Sequence, residues 1–275
     1  MTAPTIPVPA AVPAPLPAEH KSKVGWAVSD ALTIAQRNLI GLFRVPTTLV
    51  FSTIQPVIFV LMFRYVFGGA INTPGVRYVD FLMAGIFVQT VTFGSINTGV
   101  GLAEDLSKGL IERFRSLAMA RSAVLAGRTL ADTLRNLMVI ILMMLVGFGV
   151  GFRVHTNVFG LLGAIVVMLL FGFSMSWVMA NIGLRTGSAE GAQAAAFPMM
   201  ALLVFASNAF VPTATMPGPL RAYANHQPVS AAVDAVRALT IGGPTTGKLI
   251  ATLAWSLGIL AVFAPMAVRR YRRTA

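Results

Sequence analysis

The chain has 275 residues, of which 56% are hydrophobic and only 11% charged, and its mean hydropathy is +0.77. Soluble domains carry about 25% charged residues, so this composition excludes an ordinary soluble enzyme and indicates an integral membrane protein. The net charge of +12 is typical of basic residues gathered beside membrane spans, so nucleic-acid binding is not expected. The absence of cysteine excludes disulfides and thiolate metal sites.

The N-terminal part of the chain predicts a tail followed by a surface helix. Residues 1–23 are rich in Pro and lack the basic and apolar regions of a signal peptide, which indicates a disordered tail. Residues 28–44 have apolar positions at helical spacing, with Arg37 and Arg44 among the polar residues of the opposite face. We expect this amphipathic helix to lie along the cytoplasmic membrane interface, either as an anchor or as a lever that acts on the first span.

Six apolar stretches approach the roughly 20 residues that cross a bilayer core of about 30 Å. The third is short unless its first turns begin within Thr129–Arg135, and the fourth is long enough to tilt. Pro56 and Pro198 fall inside the first and fifth stretches and predict either kinks that serve gating or ordinary helix shaping. The six predicted spans are Thr48–Phe67, Phe81–Ala103, Asn136–Phe152, Val158–Leu184, Ala194–Val211 and Leu249–Val268.

The distribution of Lys and Arg predicts the orientation of these spans. One side of the predicted topology collects 15 of the 21 basic residues and the other collects six. Because basic residues accumulate in cytoplasmic loops, both termini and the loop 104–135 are predicted to be cytoplasmic.

The outer segment before the last span is unusually long. It contains the turn-forming run Pro217-Gly218-Pro219 and an apolar-periodic stretch, Pro228–Leu239, which predicts one or two short helices at the outer surface or re-entering the membrane. The predicted fold class is therefore an all-α polytopic membrane protein with six transmembrane helices, an N-terminal cytoplasmic interface helix and short outer helices before the last span. A single transmembrane domain is expected over 24–275.

The loop 104–135 is the densest patch of charge in the chain. It holds six of the 21 Lys and Arg and four of the nine Asp and Glu. A charged cytoplasmic segment between two spans suits the binding of a soluble partner; the alternative is that its charges only keep the loop on the cytoplasmic side.

Other patterns in the sequence do not predict a nucleotide, metal or ion-coupling site. The run from Gly242 to Leu249 fits the first part of a nucleotide-binding loop, but Leu249 stands where the Mg²⁺-binding Ser or Thr belongs and no strand precedes it. His20, His155 and His226 are far apart and lack acidic residues at ligand spacing, so no metal site is predicted. No Asp or Glu lies at the centre of a predicted span, which disfavours proton- or ion-coupled transport. Gly147, Gly149, Gly151, Gly160 and Gly163 favour close helix packing, within the bundle or against a second copy.

Two stretches resemble sequence patterns of type-2 ABC exporter permeases (ABC-2 type), in particular the daunorubicin-resistance permease branch. The first is the run from Glu104 to Leu117, EDLSKGLIERFRSL; relatives usually place Pro where this chain has Ala118, so only the local bend is affected. The second comprises Phe210-Val211-Pro212, Met216-Pro217, Gln227-Pro228-Val229-Ser230, Asp234, Arg237 and Gly242-Gly243. The resemblance covers roughly residues 24–270.

This resemblance implies a half-transporter in the bacterial plasma membrane that exports amphipathic cargo such as a drug, an antibiotic or a lipid. Two permeases, identical or homologous, would pair with two cytoplasmic ABC ATPase subunits, which would carry the ATP and Mg²⁺; no catalysis, cofactor or metal is expected on this chain. The family's coupling helix corresponds to the first stretch, with Arg37 and Arg44 on the interface helix. The residues to which ATPase coupling is assigned are Glu104, Asp105, Lys108, Gly109, Leu110, Ile111, Glu112, Arg113, Phe114 and Arg115.

Two alternatives remain open. One is an exporter of polysaccharide or glycolipid from the same superfamily, although sugar pathways favour aromatic platforms and the chain has only three Trp and four Tyr. The other is a membrane scaffold or channel that does not transport cargo.

Overall fold

The computed structural model describes residues 46–71, 73, 75–109 and 121–274, together with Gln36. Over these residues every regular element is helical, as the sequence predicts. The α-helices are α1 (Pro46–Leu61), α2 (Tyr78–Gly94), α3 (Ile96–Ser107), α4 (Arg121–Val150), α5 (Val158–Thr186), α6 (Ala189–Phe205), α7 (Gly218–His226), α8 (Pro228–Thr240) and α9 (Thr246–Thr274). A π-helical turn, Met62–Val66, extends α1.

Two predicted segments fall mostly on residues that the structure does not describe. The tail 1–23 is one of them, and the interface helix 28–44 is the other, apart from Gln36. The coupling residues Leu110, Ile111, Glu112, Arg113, Phe114 and Arg115 also lie outside the described residues.

Four helical segments of the described chain are long and apolar enough to cross a membrane. They are Tyr78–Ser107, Gly127–Val150, Val158–Thr186 and Thr246–Tyr271. Thr53–Val66 and Ala189–Phe205 are shorter apolar helices. Each of the six predicted apolar stretches is thus largely helical, and membrane crossing by the two shorter helices stays a prediction.

The helix α2 lies at the centre of the bundle and is buried from Leu82 to Thr92. Such a helix is apolar on all sides because it contacts neighbours all round rather than presenting one face to lipid. Its Phe87 ring packs edge-on against Phe152, with ring centroids 5.7 Å apart. By contrast, α9 is the least buried of the four candidate spans.

Where α3 crosses α5, two glycines allow the backbones to touch. A Cβ atom on Gly183 would lie 2.1 Å from the carbonyl oxygen of Gly99. A second approach joins α5 to α8, because a Cβ atom on Gly160 would lie 2.6 Å from the carbonyl oxygen of Leu239. The predicted close packing at Gly160 therefore occurs within the bundle.

Three differences between the helix boundaries and the predicted spans bear on the site described below. The predicted span Phe81–Ala103 is divided at Ser95, whose hydroxyl donates to the carbonyl of Thr92 at 2.6 Å. The helix α4 begins at Arg121, fifteen residues before the predicted span, because its charged first half packs against α3. The helix α6 ends at Phe205, so the rest of the predicted span Ala194–Val211 is non-helical. The short outer helices α7 and α8 match the prediction for that segment.

Candidate functional site

A polar cavity of about 100 Å³ lies inside the apolar bundle, about midway along the α2–α3 pair. It is formed where α1, α2, α3 and α4 meet. The lining residues are Gln55, Pro56, Gln89, Thr90, Phe93, Gly94, Asn97, Arg135, Asn136 and Val139. Six of these ten carry side chains that can form hydrogen bonds, in helices otherwise built from apolar residues. Polar groups inside a membrane bundle are costly to bury and mark pathways or binding sites by default.

Gln89 is the most informative residue of the cavity. Its side chain is only 2% exposed, and its Oε1 atom has no hydrogen-bond partner among the described residues. Leaving a buried polar atom unpaired costs about 1–3 kcal/mol. Because the amide can turn to exchange its oxygen and nitrogen, Gln89 can offer an acceptor or a donor to an occupant of the cavity.

Arg135 brings a positive charge to the same cavity. Its Nη2 atom donates to the carbonyl of Gly94 at 2.6 Å, where the helix interruption between α2 and α3 leaves this carbonyl available. The carboxylate of Asp132 lies 3.8 Å from the guanidinium and balances its charge. A Cβ atom on Gly94 would lie 2.6 Å from Oδ1 of Asn136, so glycine at this position lets α4 approach the interruption closely.

The charged residues of α3 and α4 form a series of contacts that runs away from this cavity. Thr98 donates to Asp132 at 2.5 Å, and further along the helices Arg128 forms a salt bridge with Asp105. The guanidinium of Arg128 occupies the space where Gly101 has no side chain. We call these contacts, from Gly94–Arg135 to Asp105–Arg128, the α3–α4 polar ladder.

The ladder ends within the predicted coupling segment 104–117, of which the structure describes residues 104–109. Asp105 is partly buried against Arg128, whereas the side chains of Glu104 and Lys108 are exposed and lie 3.7 Å apart. Gly109 has φ +65°, the left-handed conformation that ends many helices, and it terminates α3. This end of α3 therefore offers solvent-exposed charges of both signs directly before residues 110–120.

A second polar cluster secures the non-helical segment that follows α6. Gln227, Ser230, Asp234 and Arg237 recur at spacings of three, four and three residues and share one face of α8. Gln227 donates to the carbonyl of Leu203 at 2.9 Å, and the Ser230 hydroxyl accepts from the amide of Asn208 at 3.2 Å. Backbone groups that α6 leaves unpaired are therefore satisfied by α8.

Arg237 is the centre of this cluster. It donates to the carbonyls of Asn208 (2.7 Å), Ala209 (3.1 Å) and Phe81 (3.2 Å), and its guanidinium lies 3.4 Å from the centroid of the Phe81 ring. Burial lowers the pKa of Arg237, and the nearby carboxylate of Asp234 opposes this effect. The residues of the Gln-Pro-Val-Ser…Asp…Arg pattern thus hold the non-helical segment in place. Their spacing on one helix face was visible in the sequence, whereas their contacts with Asn208 and Phe81 were not.

Asp80 organises the predicted outer end of the bundle. Its buried carboxylate accepts from Arg77 at 2.9 Å, from the backbone amide of Arg153 at 2.9 Å, and contacts His155 Nε2 at 3.0 Å. His155 therefore has an acidic neighbour that is 75 residues away in the sequence. Within the described residues, no three His, Cys, Asp or Glu side chains gather as a metal site would require.

The run that resembles a nucleotide-binding loop forms a bend and the first turn of α9. Gly242 and Gly243 have φ of +108° and +111°, and the helix begins at Thr246. The run follows the helix α8 rather than a strand.

Comparisons with known proteins identify a matching family model and several relatives. A family model described as ABC-2 type transporter matches residues 30–241. The "Daunorubicin resistance ABC transporter permease protein DrrB1" of Streptomyces coeruleorubidus is 35% identical over 268 residues, which cover 98% of this chain and 95% of that protein. The "Probable doxorubicin resistance ABC transporter permease protein DrrC" of Mycobacterium tuberculosis (strain ATCC 25618 / H37Rv) is 28% identical, with 90% of each chain covered. A "Putative transport permease ycf38" of Porphyra purpurea is 24% identical over 76% of this chain and 73% of its own length.

Proposed function

Because the chain belongs to the ABC-2 type transporter family, we propose that it is the membrane-spanning permease subunit of an ATP-driven exporter of amphipathic cargo. The cargo class is a drug, an antibiotic or a lipid. In this proposal the six helical stretches all cross the plasma membrane, both termini are cytoplasmic, and a second permease, identical or homologous, completes the pathway.

The observation that carries the proposal is the polar cavity within the apolar bundle. An amphipathic molecule needs apolar walls and a small number of placed polar groups. Phe93 and Val139 supply apolar walls, while Gln89 and Arg135 supply hydrogen-bonding groups. The cavity is small, about 100 Å³, so it holds one polar group of the cargo rather than the whole molecule.

In this proposal, two separate cytoplasmic ABC ATPase subunits bind ATP and Mg²⁺ and supply the energy for transport. The run 104–117 and the helix 28–44 are the proposed contacts with these subunits. The exposed Glu104 and Lys108 at the end of α3 support this assignment, since they offer both signs of charge to a partner.

The α3–α4 polar ladder connects the proposed ATPase contacts with the polar cavity. Motion of the ATPase subunits against residues 104–117 displaces the end of α3, and the Asp105–Arg128 and Thr98–Asp132 contacts make α4 follow. The last contact of the ladder joins Arg135 to the carbonyl of Gly94, both of which line the cavity. Displacement of α3 therefore changes the shape of the cavity, as alternation between inward- and outward-open states requires.

The proposal is tested by reconstituting the permease in liposomes with and without an ABC ATPase subunit supplied as its partner. We expect ATP hydrolysis only with the ATPase, stimulated by amphipathic drugs or lipids and accompanied by their transport. Lys248→Ala, in the first turn of α9, serves as the control and should leave both rates unchanged. Hydrolysis by the permease alone would contradict the proposal, and stimulation by glycans alone would identify a polysaccharide exporter instead.

A further inference from the structure

A groove of about 720 Å³ lies between α5 and α9, at the end of the molecule where both helices finish. Its volume is within the range of about 300–1,000 Å³ that is typical of ligand sites. Ala261, Val262, Pro265 and Met266 give it an apolar wall, and the basic residues Arg185, Arg269 and Arg270 stand at its end. The groove is separate from the polar cavity, with which it shares no residue.

The apolar wall is a helix face that no described part of the chain covers. Val262, Pro265, Met266 and Arg269 recur at helical spacing and share one face of α9, and Val262 is 60% exposed. The opposite face of α9 is anchored, since Ala267 and Tyr271 are buried in a cluster with Trp177 and Leu184 of α5. The α9 helix is the least buried of the four candidate spans, so this face is available to a lipid in the described chain.

A hydrogen bond between the two helices fixes the groove. Nδ2 of Asn181 donates to the carbonyl of Phe263 at 2.8 Å and holds α9 against α5. Arg185 lies one turn beyond Asn181 on the same face of α5. The arginine is thereby placed beside α9, close to the turn that carries Arg269.

Arg185 and Arg269 carry charge that the described chain does not neutralise. Neither of them forms an ion pair with a described acidic residue, whereas Arg77, Arg128, Arg135 and Arg237 all do. A planar guanidinium binds phosphate oxygens in pairs, which makes Arg suited to phosphate recognition. Basic pockets between transmembrane helices are known as sites for anionic lipid headgroups.

We propose that this groove is a binding site for one anionic phospholipid. The phosphate lies between Arg185 and Arg269, and an acyl chain lies along Val262, Pro265 and Met266. The basic bias of the sequence predicts that the site faces the cytoplasmic leaflet, where anionic lipids are concentrated. This inference does not depend on the proposed cargo or on ATP-driven transport.

The test measures thermal unfolding of the purified full-length permease in detergent while phosphatidylglycerol or phosphatidylcholine is titrated. We expect phosphatidylglycerol to raise the midpoint of wild type with saturation and phosphatidylcholine to have little effect. The double variant R185Q/R269Q should bind phosphatidylglycerol roughly thirtyfold more weakly, since each basic residue near a lipid surface contributes about fivefold. Val262→Trp, which fills the groove and keeps both charges, should also weaken binding.

Two controls separate this site from a general effect of charge. Lys248→Gln removes a positive charge from the opposite end of the same helix and should bind phosphatidylglycerol as wild type does. Soluble glycerol phosphate supplies the phosphate without an acyl chain and should not raise the midpoint. Full lipid response in R185Q/R269Q, equal loss in Lys248→Gln, or an equal response to glycerol phosphate would each overturn the proposal. So would loss of ATPase binding in R185Q/R269Q with an unchanged lipid response, since the arginines would then belong to a protein interface.

Discussion

Arg237 and Arg221 each donate to three backbone carbonyls, but only the first does so inside the protein. Arg237 is 9% exposed, whereas Arg221 is exposed and bonds to Thr213, Ala214 and Met216 beside α7. Exposed carbonyls can bond to water when the arginine is removed, and buried carbonyls cannot. Burial, and not the number of hydrogen bonds, decides what each arginine contributes to stability.

We therefore predict that Arg237→Met lowers the thermal midpoint of the detergent-solubilised protein by about 10 °C, since breaking a buried charged network costs about 3–5 kcal/mol. Arg221→Met is the matched control and should lower the midpoint by about 2 °C or less. Size-exclusion profiles recorded after heating give both values. Equal effects of the two substitutions would contradict the assignment of Arg237 as the anchor of the segment after α6.

At Gln89, one substitution is expected to raise stability and to impair function. We predict that Gln89→Leu raises the thermal midpoint by about 2–4 °C, because it removes a buried, unpaired polar atom. The same change should raise the cargo concentration needed for half-maximal stimulation of hydrolysis about tenfold, because one polar contact is lost.

Gln193→Leu, at an exposed glutamine of α6, makes the same chemical change outside the cavity and should leave cargo dependence unaltered. If Gln89→Leu stabilised the protein without affecting cargo dependence, the cavity would be an internal packing feature and not a binding site.

At the scale of the helices, the sequence predicted where helices occur better than where they end. The apolar stretches and the outer helix Pro228–Leu239 were recognisable because hydropathy and helical spacing report on local residues. The interruption at Ser95 and the early start of α4 depend on partners that hydropathy does not register. Because Arg128, Asp132 and Arg135 are charged, the first part of α4 was predicted to be a loop. In the structure these residues bond to Asp105, Thr98 and the Gly94 carbonyl, and this part of the chain belongs to a helix pair.

The polar cavity, likewise, depends on contacts between residues that are distant in the sequence. Gln89 stands in a long apolar run, and Gln55, Asn97 and Asn136 are scattered over three other helices. Only packing of the four helices brings these residues to one place, so no spacing in the sequence predicted the cavity.

The crossing of α3 and α5 provides a prediction at this scale. Gly183→Ala places a methyl group against the Gly99 carbonyl, so the helices must separate, at a cost of about 1–3 kcal/mol or more. We expect a lower thermal midpoint and weaker expression. Gly149→Ala, near the end of α4, meets no atom within 4 Å and should be neutral or slightly stabilising. An unchanged midpoint in Gly183→Ala would show that the crossing is looser than described.

For the whole molecule, the decisive prediction is orientation. The unequal distribution of basic residues predicts that reporters fused after Arg115 and after Arg273 lie in the cytoplasm, and that one inserted within Pro219–Asn225 lies outside. Paired cytoplasmic and periplasmic reporter enzymes in intact cells measure each position. An external Arg115 would remove the run 104–117 from reach of any cytoplasmic ATPase and with it the proposed coupling.

The central position of α2 has a consequence for how the protein is made. The chain enters the membrane from its N-terminus, but α2 completes its contacts only with residues that are synthesised much later. Arg237 reaches the carbonyl of Phe81 across 156 residues, and the amide of Arg153 reaches Asp80 across 73. Until α8 leaves the ribosome, the carbonyl and ring of Phe81 in α2 lack the arginine that contacts them in the finished bundle. Ribosome-stalled chains that stop before α8 should therefore stay bound to the insertion machinery, and chains released at that length should be degraded by membrane proteases.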